Sequence, residues 1–222
     1  LGPAAREAGL RARESLAALL ATAWGVDASE ITGADGVFTT ASGKRASFRE
    51  ACSLIGDEGL QVRGTRRPNY AGFDGQTAGC QFVQVAVDTD TGVIRVEKVV
   101  AVHDSGRIID TLTSRSQVHG GVIQGLSYAL FEERRLDENL GDMVNPTFDT
   151  YRISGMADTP EIDVVLTSVA SGFNNAGMMG LGEPVTVPTA GAVSNAVFNA
   201  LGVQLRERPM TPDRVLAALG KV

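Results

Sequence analysis

Small and apolar side chains recur at three- and four-residue steps along the first part of the chain. This periodicity predicts a helix over residues 3–24, with Pro3 in its first turn and Gly25 just past its end. A turn-rich stretch follows the helix, and residues 36–40 then predict a short strand.

A second, shorter helix is predicted over residues 48–55. Ser47 precedes it and Glu50 stands three residues later, which is the arrangement of a reciprocal capping box. Residues 63–79 combine arginines, a proline and several glycines, so they predict a long loop. Loops of that length in a compact domain are often functional or touch a partner.

Near residue 81 the pattern changes to an alternation of apolar and polar residues. Residues 82–87 and 93–104 predict two β-strands, and the Asp-Thr-Asp-Thr-Gly segment at 88–92 predicts the turn between them. Together they predict a hairpin with partly buried faces. Residues 162–169 are rich in β-branched side chains and predict a further strand.

Helical periodicity returns in the second half of the chain. It predicts helices over residues 114–133, 183–201 and 212–219, and Gly202 provides a C-terminal stop for the second of them. We also expect a short element around 148–153.

The composition is that of a folded globular protein, because 43% of the residues are hydrophobic and only 21% are charged. The net charge is −6 and no segment concentrates lysine and arginine, which argues against nucleic acid as a partner. No apolar run approaches the roughly 20 residues of a membrane span, and no signal peptide is visible. We expect a cytoplasmic protein, with the periplasm as the alternative. Because Leu1 stands where Met is usual, we expect a processed product or a fragment.

Cys52, Cys80, His103 and His119 are the cysteines and histidines of the chain. Neither pair has the spacing of a zinc or iron–sulfur site, so we predict no metal-ligating side chains and two reduced thiols. We predict that His103 is a hydrogen-bonded structural residue and that His119 is a polar residue in the first turn of its helix.

A glycine-rich segment at 177–182 leads directly into Glu183 and a predicted helix. Glycine lets the backbone pass close to a bulky group, and a helix start offers unpaired N–H groups and a partial positive charge. The local sequence leaves two interpretations of Glu183 open. It is either a surface acid stabilised by the helix dipole or a general base that lines a pocket.

The predicted helix over 114–133 contains Gly120, Gly121 and Gly125, although a helical glycine costs roughly 1 kcal/mol relative to alanine. The glycines either let the helix pack closely on another element or seat a ligand. In the second case Gln117 donates and accepts hydrogen bonds from the first turn. Spacing alone does not choose between the two interpretations.

Five segments, in their order and spacing, resemble the C-terminal part of the molybdopterin-binding subunit of molybdenum hydroxylases, the xanthine dehydrogenase/aldehyde oxidase family. They are the hairpin at 85–92, the Asp-x-Gly strand end at 103–106, the glycine-rich helix at 117–125, the Gly-Glu-Pro triplet at 182–184 and the C-terminal segment at 209–216.

The resemblance implies an α+β fold, that of the molybdopterin-binding domain of molybdenum hydroxylases, with mixed sheets and packed helices. Residues 1–79 would form an N-terminal portion of the molybdopterin-binding region, made of a helix and short strands. Residues 80–222 would form its C-terminal region, with the catalytic glutamate.

The resemblance also implies a cofactor, molybdopterin in the cytosine dinucleotide form, whose own sulfurs hold the molybdenum. Gln117 would contact this cofactor, and Gly120, Gly121 and Gly182 would allow its close approach. Glu183 would be the general base that takes the proton from the oxygen nucleophile. That oxygen would come from water and attack a carbon of an aldehyde or an N-heterocycle.

Partners follow from the same resemblance. They are the N-terminal half of the molybdenum subunit, an FAD subunit, a [2Fe–2S] subunit and a small-molecule substrate, and the isolated chain is expected to be inactive. His119 stands where many members carry glutamate, so it would alter the cofactor environment. The alternative function is a non-catalytic cofactor-binding or assembly module of the same fold. A Rossmann domain is not expected, because no Gly-x-Gly-x-x-Gly follows a predicted strand.

Overall fold

The computed structural model describes most of the chain. The described residues are 2–65, 77–169, 174 and 176–222. They divide into a first unit, Leu1–Ala71 with Asn174–Ala176, and a second unit, Gly72–Phe173 with Gly177–Val222.

The first unit packs helices on a three-stranded antiparallel sheet with the order β1-β2-β3. Its elements are α1 (Gly2–Trp24), β1 (Ile31–Ala34), β2 (Val37–Thr40), β3 (Arg45–Ser47) and α2 (Phe48–Cys52). The predictions of the first helix and of the strand near residue 38 are confirmed.

Local side-chain chemistry explains two features of the first unit. Asp35 and Gly36 both have positive φ, 48° and 76°, as the two-residue hairpin turn between β1 and β2 requires. At the start of α2, the Ser47 hydroxyl accepts from the Glu50 N–H at 3.2 Å, and the Glu50 carboxylate accepts from the Ser47 N–H at 2.7 Å. The predicted capping box is confirmed, although α2 ends at Cys52, three residues earlier than expected.

The second unit packs helices against one face of a mixed sheet with the order β4-β5-β6. Its elements are β4 (Ala78–Val87), β5 (Ile94–Asp104), α3 (Thr111–Leu130), β6 (Glu161–Thr167), α4 (Thr186–Leu201) and α5 (Pro212–Ala218). Strands β4 and β5 are antiparallel and form the predicted hairpin, whereas β5 and β6 are parallel. The fold is therefore α+β with helices packed on a mixed sheet, as expected.

The core of the second unit lies between this sheet and the two long helices. Fully buried valines fill it from both sides, including Val99 on β5, Val118 and Val122 on α3, and Val193 and Val197 on α4. Burial of each such side chain contributes roughly 1.5–3 kcal/mol relative to exposure, so this packing determines how α3 and α4 lie on the sheet.

Several sequence expectations in the second unit are wrong, and helix α3 ends at Leu130 rather than 133. Helix α3 begins at Thr111 rather than 114, because the Asp110 carboxylate accepts from the Thr113 N–H at 2.7 Å and caps it. His119 is consequently in the third turn of α3, not the first. The short element expected at 148–153 is only a turn, and Phe148, with 84% of its surface exposed, does not anchor it to a core.

Helix α4 begins at Thr186, not at Glu183 as expected. Pro188 has no N–H and cannot close a helical turn onto the carbonyl of residue 184, so the helix cannot extend further back. Residues 182–185 instead form a turn in which the Thr186 N–H donates to the Glu183 carbonyl at 2.9 Å. The predicted stop at Gly202 is confirmed by its left-handed backbone, with a φ of 72°.

The predicted loop at 63–79 overlaps the described residues only in part. Arg66, Arg67 and Pro68 lie outside the described residues, and Ala78 and Gly79 belong to β4. Within the parts of the chain that the structure describes, no helix is both long and apolar enough to cross a membrane.

Candidate active site

The segment before Glu183 is anchored to the end of β5. The Met179 N–H donates to the Ser105 carbonyl at 2.8 Å, and the Arg107 N–H donates to the Gly177 carbonyl at 2.6 Å. These bonds make a short antiparallel pairing around Gly106. The glycine-rich segment therefore has a defined path beside the strand end.

Asp104 gives that strand end its shape. One carboxylate oxygen accepts from the Gly106 N–H at 2.8 Å, and the other accepts from the Thr167 hydroxyl at 3.0 Å and the Val169 N–H at 2.7 Å. Gly106 has a φ of 68°, a backbone conformation that favours glycine. The Asp-x-Gly motif thus builds the corner on which the segment before Glu183 lies.

Two side chains, Thr77 just before β4 and Gln81 on β4, hold the backbone on either side of Glu183. The Thr77 hydroxyl donates to the Gly180 carbonyl at 3.0 Å. The Gln81 amide donates from Nε2 to the Val185 carbonyl at 2.7 Å. Glu183 is consequently an exposed residue on a turn that is fixed before and after it.

The carboxylate of Glu183 is exposed and forms no hydrogen bond or ion pair with any residue that the structure describes. An ionised carboxylate has about four acceptor positions, and all of them are open to a ligand here. The effect of a helix dipole on an acid is strongest in the first turn of the helix, and Glu183 lies three residues before α4 begins.

Gln117 lies beside this turn, in the second turn of α3. Its Nε2 is 3.7 Å from the position that a Cβ would take at Gly182, and its exposed amide makes no hydrogen bond within the described part of the chain. The structure therefore brings together Gln117, Gly182 and Glu183, three of the residues predicted for the site.

Two glycines of α3 let it approach α4. A Cβ at Gly121 would be 2.7 Å from the Cβ of Val185, and a Cβ at Gly125 would overlap Thr189. At Gly120, by contrast, nothing lies within 4 Å of the added Cβ. Helix packing thus accounts for Gly121 and Gly125, while Gly120 keeps an open backbone face. The cofactor contacts predicted for Gly120, Gly121 and Gly182 stay predictions.

A buried amide–imidazole pair next to the turn was missed by the sequence analysis. Gln81 faces inward on β4, where its Nε2 is 3.3 Å from Nε2 of the fully buried His103. Burial lowers the pKa of His103, because it disfavours the charged form of the ring. The available signal was the phase of β4: Phe82 is 64% exposed, so Gln81, rather than Phe82, occupies the inward position in line with Val83.

The first unit contains a cavity of about 650 Å³ that is lined mainly by apolar and glycine residues of α1, α2 and the β1–β2 hairpin. None of the predicted site residues lines it. Its wall offers Arg13 and Asp35 as charged groups, and the candidate chemistry of this chain lies in the second unit.

Comparison with known proteins decides the family. The family model of the molybdopterin cofactor-binding domain matches residues 1–160. The chain belongs to this family. The resemblance to molybdenum hydroxylases is thereby confirmed, and the match crosses the expected boundary at residue 79, so the division into regions 1–79 and 80–222 stays a prediction.

Two relatives from Escherichia coli strain K12 also match the chain. The aldehyde oxidoreductase molybdenum-binding subunit PaoC is 33% identical over 208 residues, which cover 92% of this chain and 28% of the relative. The putative xanthine dehydrogenase molybdenum-binding subunit XdhA is 36% identical over 137 residues, 62% of this chain and 18% of the relative. The chain thus spans less than a third of the length of either.

A solved structure confirms the fold. The reconstituted CO dehydrogenase from Oligotropha carboxidovorans superimposes with a TM-score of 0.79, with 21% identity, over 96% of this chain and 28% of that chain. At this identity the likeness concerns the fold alone.

The residues around Glu183 suit a molybdopterin cofactor. The exposed Gln117 amide can both donate to and accept from a pterin or phosphate group, and the open backbone at Gly120 leaves room for close approach. Throughout the described residues, no group of three or more histidine, cysteine, aspartate or glutamate side chains is arranged to hold a metal ion.

Proposed function

We propose that the chain is the C-terminal segment, or a split subunit, of a molybdenum hydroxylase that oxidises an aldehyde or an N-heterocycle with oxygen from water. The names of the relatives support this substrate range, because they include an aldehyde oxidoreductase, a xanthine dehydrogenase and a nicotinate dehydrogenase. The cytoplasm remains the proposed location.

The cofactor of this enzyme is proposed to be molybdopterin in its cytosine dinucleotide form. Gln117 would hold it through the side-chain amide, and the backbone at Gly120, Gly121 and Gly182 would lie against it. When bound, the cofactor supplies the molybdenum that takes up the electrons released by the substrate.

Glu183 is proposed to be the general base. The observation that carries this role is a carboxylate with no partner among the described residues, on a turn whose backbone is held at Gly180 and Val185. A base must have a free acceptor oxygen and a defined position, and Glu183 combines the two. It takes the proton of the oxygen nucleophile on its carboxylate and later releases it to solvent.

Further polypeptides are proposed to complete the site and the electron path. The chain spans 28% of PaoC and 18% of XdhA, so the remainder of the molybdenum subunit would supply the other cofactor loops and the substrate contacts. An FAD subunit and a [2Fe–2S] subunit would carry the electrons away.

The test of the base is Glu183→Gln in the complete, molybdenum-loaded enzyme. This change keeps the size of the side chain and removes its basicity, so kcat is expected to fall by about 100-fold or more. Molybdenum and pterin content are expected to stay the same. Unchanged turnover would instead favour the non-catalytic binding or assembly module.

The incompleteness of the site is tested separately with the isolated chain. We expect no dye-linked oxidation of aldehydes or N-heterocycles by this chain alone, and metal analysis reports how much molybdenum it retains. Robust turnover without a partner would contradict the proposal that another segment completes the site.

A further inference from the structure

We propose that Gln81, supported by His103, is a positioning residue for the turn that carries Glu183. The inference rests on the proposed role of Glu183 as the base. It assigns a function in the reaction to two buried residues that act on Glu183 through the backbone of its turn.

The link between Gln81 and the base is short. The Gln81 Nε2 donates at 2.7 Å to the carbonyl of Val185, which lies two residues after Glu183 in the chain. Pro184 stands between them, and its ring restricts φ to a narrow range. This restriction removes one of the backbone torsions through which Glu183 could move while the Val185 carbonyl stays in place.

The direction of the hydrogen bonds follows from their partners. The Val185 carbonyl can only accept, so the Gln81 amide must present its NH₂ group there. The same NH₂ group faces His103 Nε2 at 3.3 Å and can only donate, so Nε2 accepts and the ring proton is on Nδ1. This Nδ1 is buried and has no hydrogen-bond partner among the described residues. Gln81 thus donates to Val185 and His103 together, and its amide has one orientation.

The imidazole ring is held from its other side. A Cβ at Gly79, which pairs with His103 across the two strands, would overlap His103 Nδ1, so only glycine leaves room for the ring at that position. The ring is fully buried and packs between Gly79 and Gln81. This support limits the rotation of the Gln81 side chain.

Gln81 occupies a position where an apolar residue would serve the core better. It is 9% exposed on the inward face of β4, in line with Val83 and Val85. Its Oε1 is buried and makes no hydrogen bond with the described residues, which costs stability. The hydrogen bond from the Gln81 NH₂ group to the Val185 carbonyl explains why a polar residue stands in this position.

The second unit offers a matched control in Asn145. Its side chain is 7% exposed, and its Nδ2 donates at 2.7 Å to the backbone carbonyl of Glu133. The bond type, length and burial thus match those of Gln81. The differences are that Asn145 holds the segment after α3, where its Oδ1 also accepts from the Arg135 N–H at 3.0 Å, whereas Gln81 holds the turn with Glu183.

The experiment compares Gln81→Met with Asn145→Leu in the complete enzyme, with two measurements on each. Hydrogen exchange of the amides at 183–187 reports the turn directly, and steady-state kinetics separate kcat from KM. For Gln81→Met we expect faster exchange at 183–187 and a kcat reduced about tenfold at unchanged KM and molybdenum content. For Asn145→Leu we expect lower thermal stability with neither change.

Several outcomes overturn the inference. It fails if Gln81→Met leaves exchange at 183–187 unchanged, if exchange rises while kcat stays the same, or if Asn145→Leu reproduces both effects. Gln81→Leu provides the same test if the methionine variant does not fold. Should Glu183→Gln retain full turnover, the proposed base fails, and the exchange measurement still decides whether Gln81 holds the turn.

Discussion

The two ends of α3 each lie beside a glutamate and a buried amide, yet the two glutamates are in opposite situations. Near Gln117, Glu183 has an exposed carboxylate with no partner in the described residues. Past the end of the helix, Glu133 accepts from Arg214 at 2.6 Å through one oxygen and from Arg135 at 2.8 Å through the other.

The difference shows what separates a structural acid from a reactive one. The hydrogen bonds from Arg135 and Arg214 hold the pKa of the Glu133 carboxyl below its usual value, because they stabilise the charged form. Both oxygens of Glu133 already accept from arginines, and through Arg214 the carboxylate ties α5 to the segment that follows α3. Glu183 has the same chemical group, but its carboxylate oxygens are available to a ligand. What is held in place around it is the backbone, at the carbonyls of Gly180 and Val185.

The largest expected effect is on turnover, and it should separate the two acids. Glu183→Gln is expected to lower kcat of the complete enzyme by about 100-fold or more, while Glu133→Gln leaves kcat within about twofold. Steady-state kinetics, normalised to molybdenum content, provide the measurement. Equal losses of kcat in the two variants would show that removing a charge anywhere near α3 disturbs the site. The distinction between a reactive Glu183 and a structural Glu133 would then be wrong.

The next effect concerns the glycines between the two ends. Gly125→Ala places a Cβ into Thr189, so α3 and α4 must separate, at a cost of about 1–3 kcal/mol. Gly120→Ala meets nothing within 4 Å and should stabilise the helix by roughly 0.5–1 kcal/mol. Thermal unfolding of the complete subunit measures both.

Gly120→Ala also tests the predicted cofactor contact. If the cofactor lies against the open face of Gly120, the variant should contain less molybdopterin although its fold is more stable. Full cofactor content would remove Gly120 from the site and leave Gln117, Gly121 and Gly182 as the candidates.

At the other end of α3, the Glu133 ion pairs should contribute to stability in a pH-dependent way. Glu133→Gln is expected to destabilise the fold by about 1 kcal/mol, since the glutamate and Arg214 are only partly exposed. The contribution is fully present above the unfolded-state pKa near 4.5 and is lost as the pH falls through the lower folded-state pKa. Denaturation of the wild type and the variant should converge in acid. A difference that persists there would assign the effect to packing.

The smallest effect is a pH dependence at the Glu183 end. Burial lowers the pKa of His103 from 6.5, so the unfolded chain takes up its proton first as the pH falls. His103 therefore has no pH effect above 6.5, and below that value it makes stability decrease until the folded-state pKa is reached. In His103→Gln this part of the slope should disappear. An unchanged slope would mean that His103 has the same pKa in the folded and the unfolded chain, which contradicts the effect of burial.

Features that depend on neighbours in the chain were predictable from the sequence. The capping box of Ser47 and Glu50 and the turn between β4 and β5 use side chains within five residues of each other. The start of α4 also depends on a nearby residue, because Pro188 prevents an earlier start. The prediction from the Gly-Glu-Pro triplet placed this start three residues too early.

The phase of β4 was harder to predict, since Phe82 is the more apolar residue and yet points outward. Its direction follows from the alternation along β4, in which Gln81, Val83 and Val85 face inward, and from the pairing with β5. An error of one residue in a strand exchanges its two faces, and this is why the inward position of Gln81 was not foreseen.

Taken by itself, the sequence determined the family, the α+β class and Glu183 as the candidate base, because the order and spacing of motifs carry that information without coordinates. Only the tertiary structure decided what surrounds Glu183. Gln81 and Val185 are 104 residues apart, and the packing of α3 and α4 on the sheet brings Gln117 to Gly182. Such contacts depend on the summed burial of many core side chains, and no local pattern records which distant residues that burial brings together.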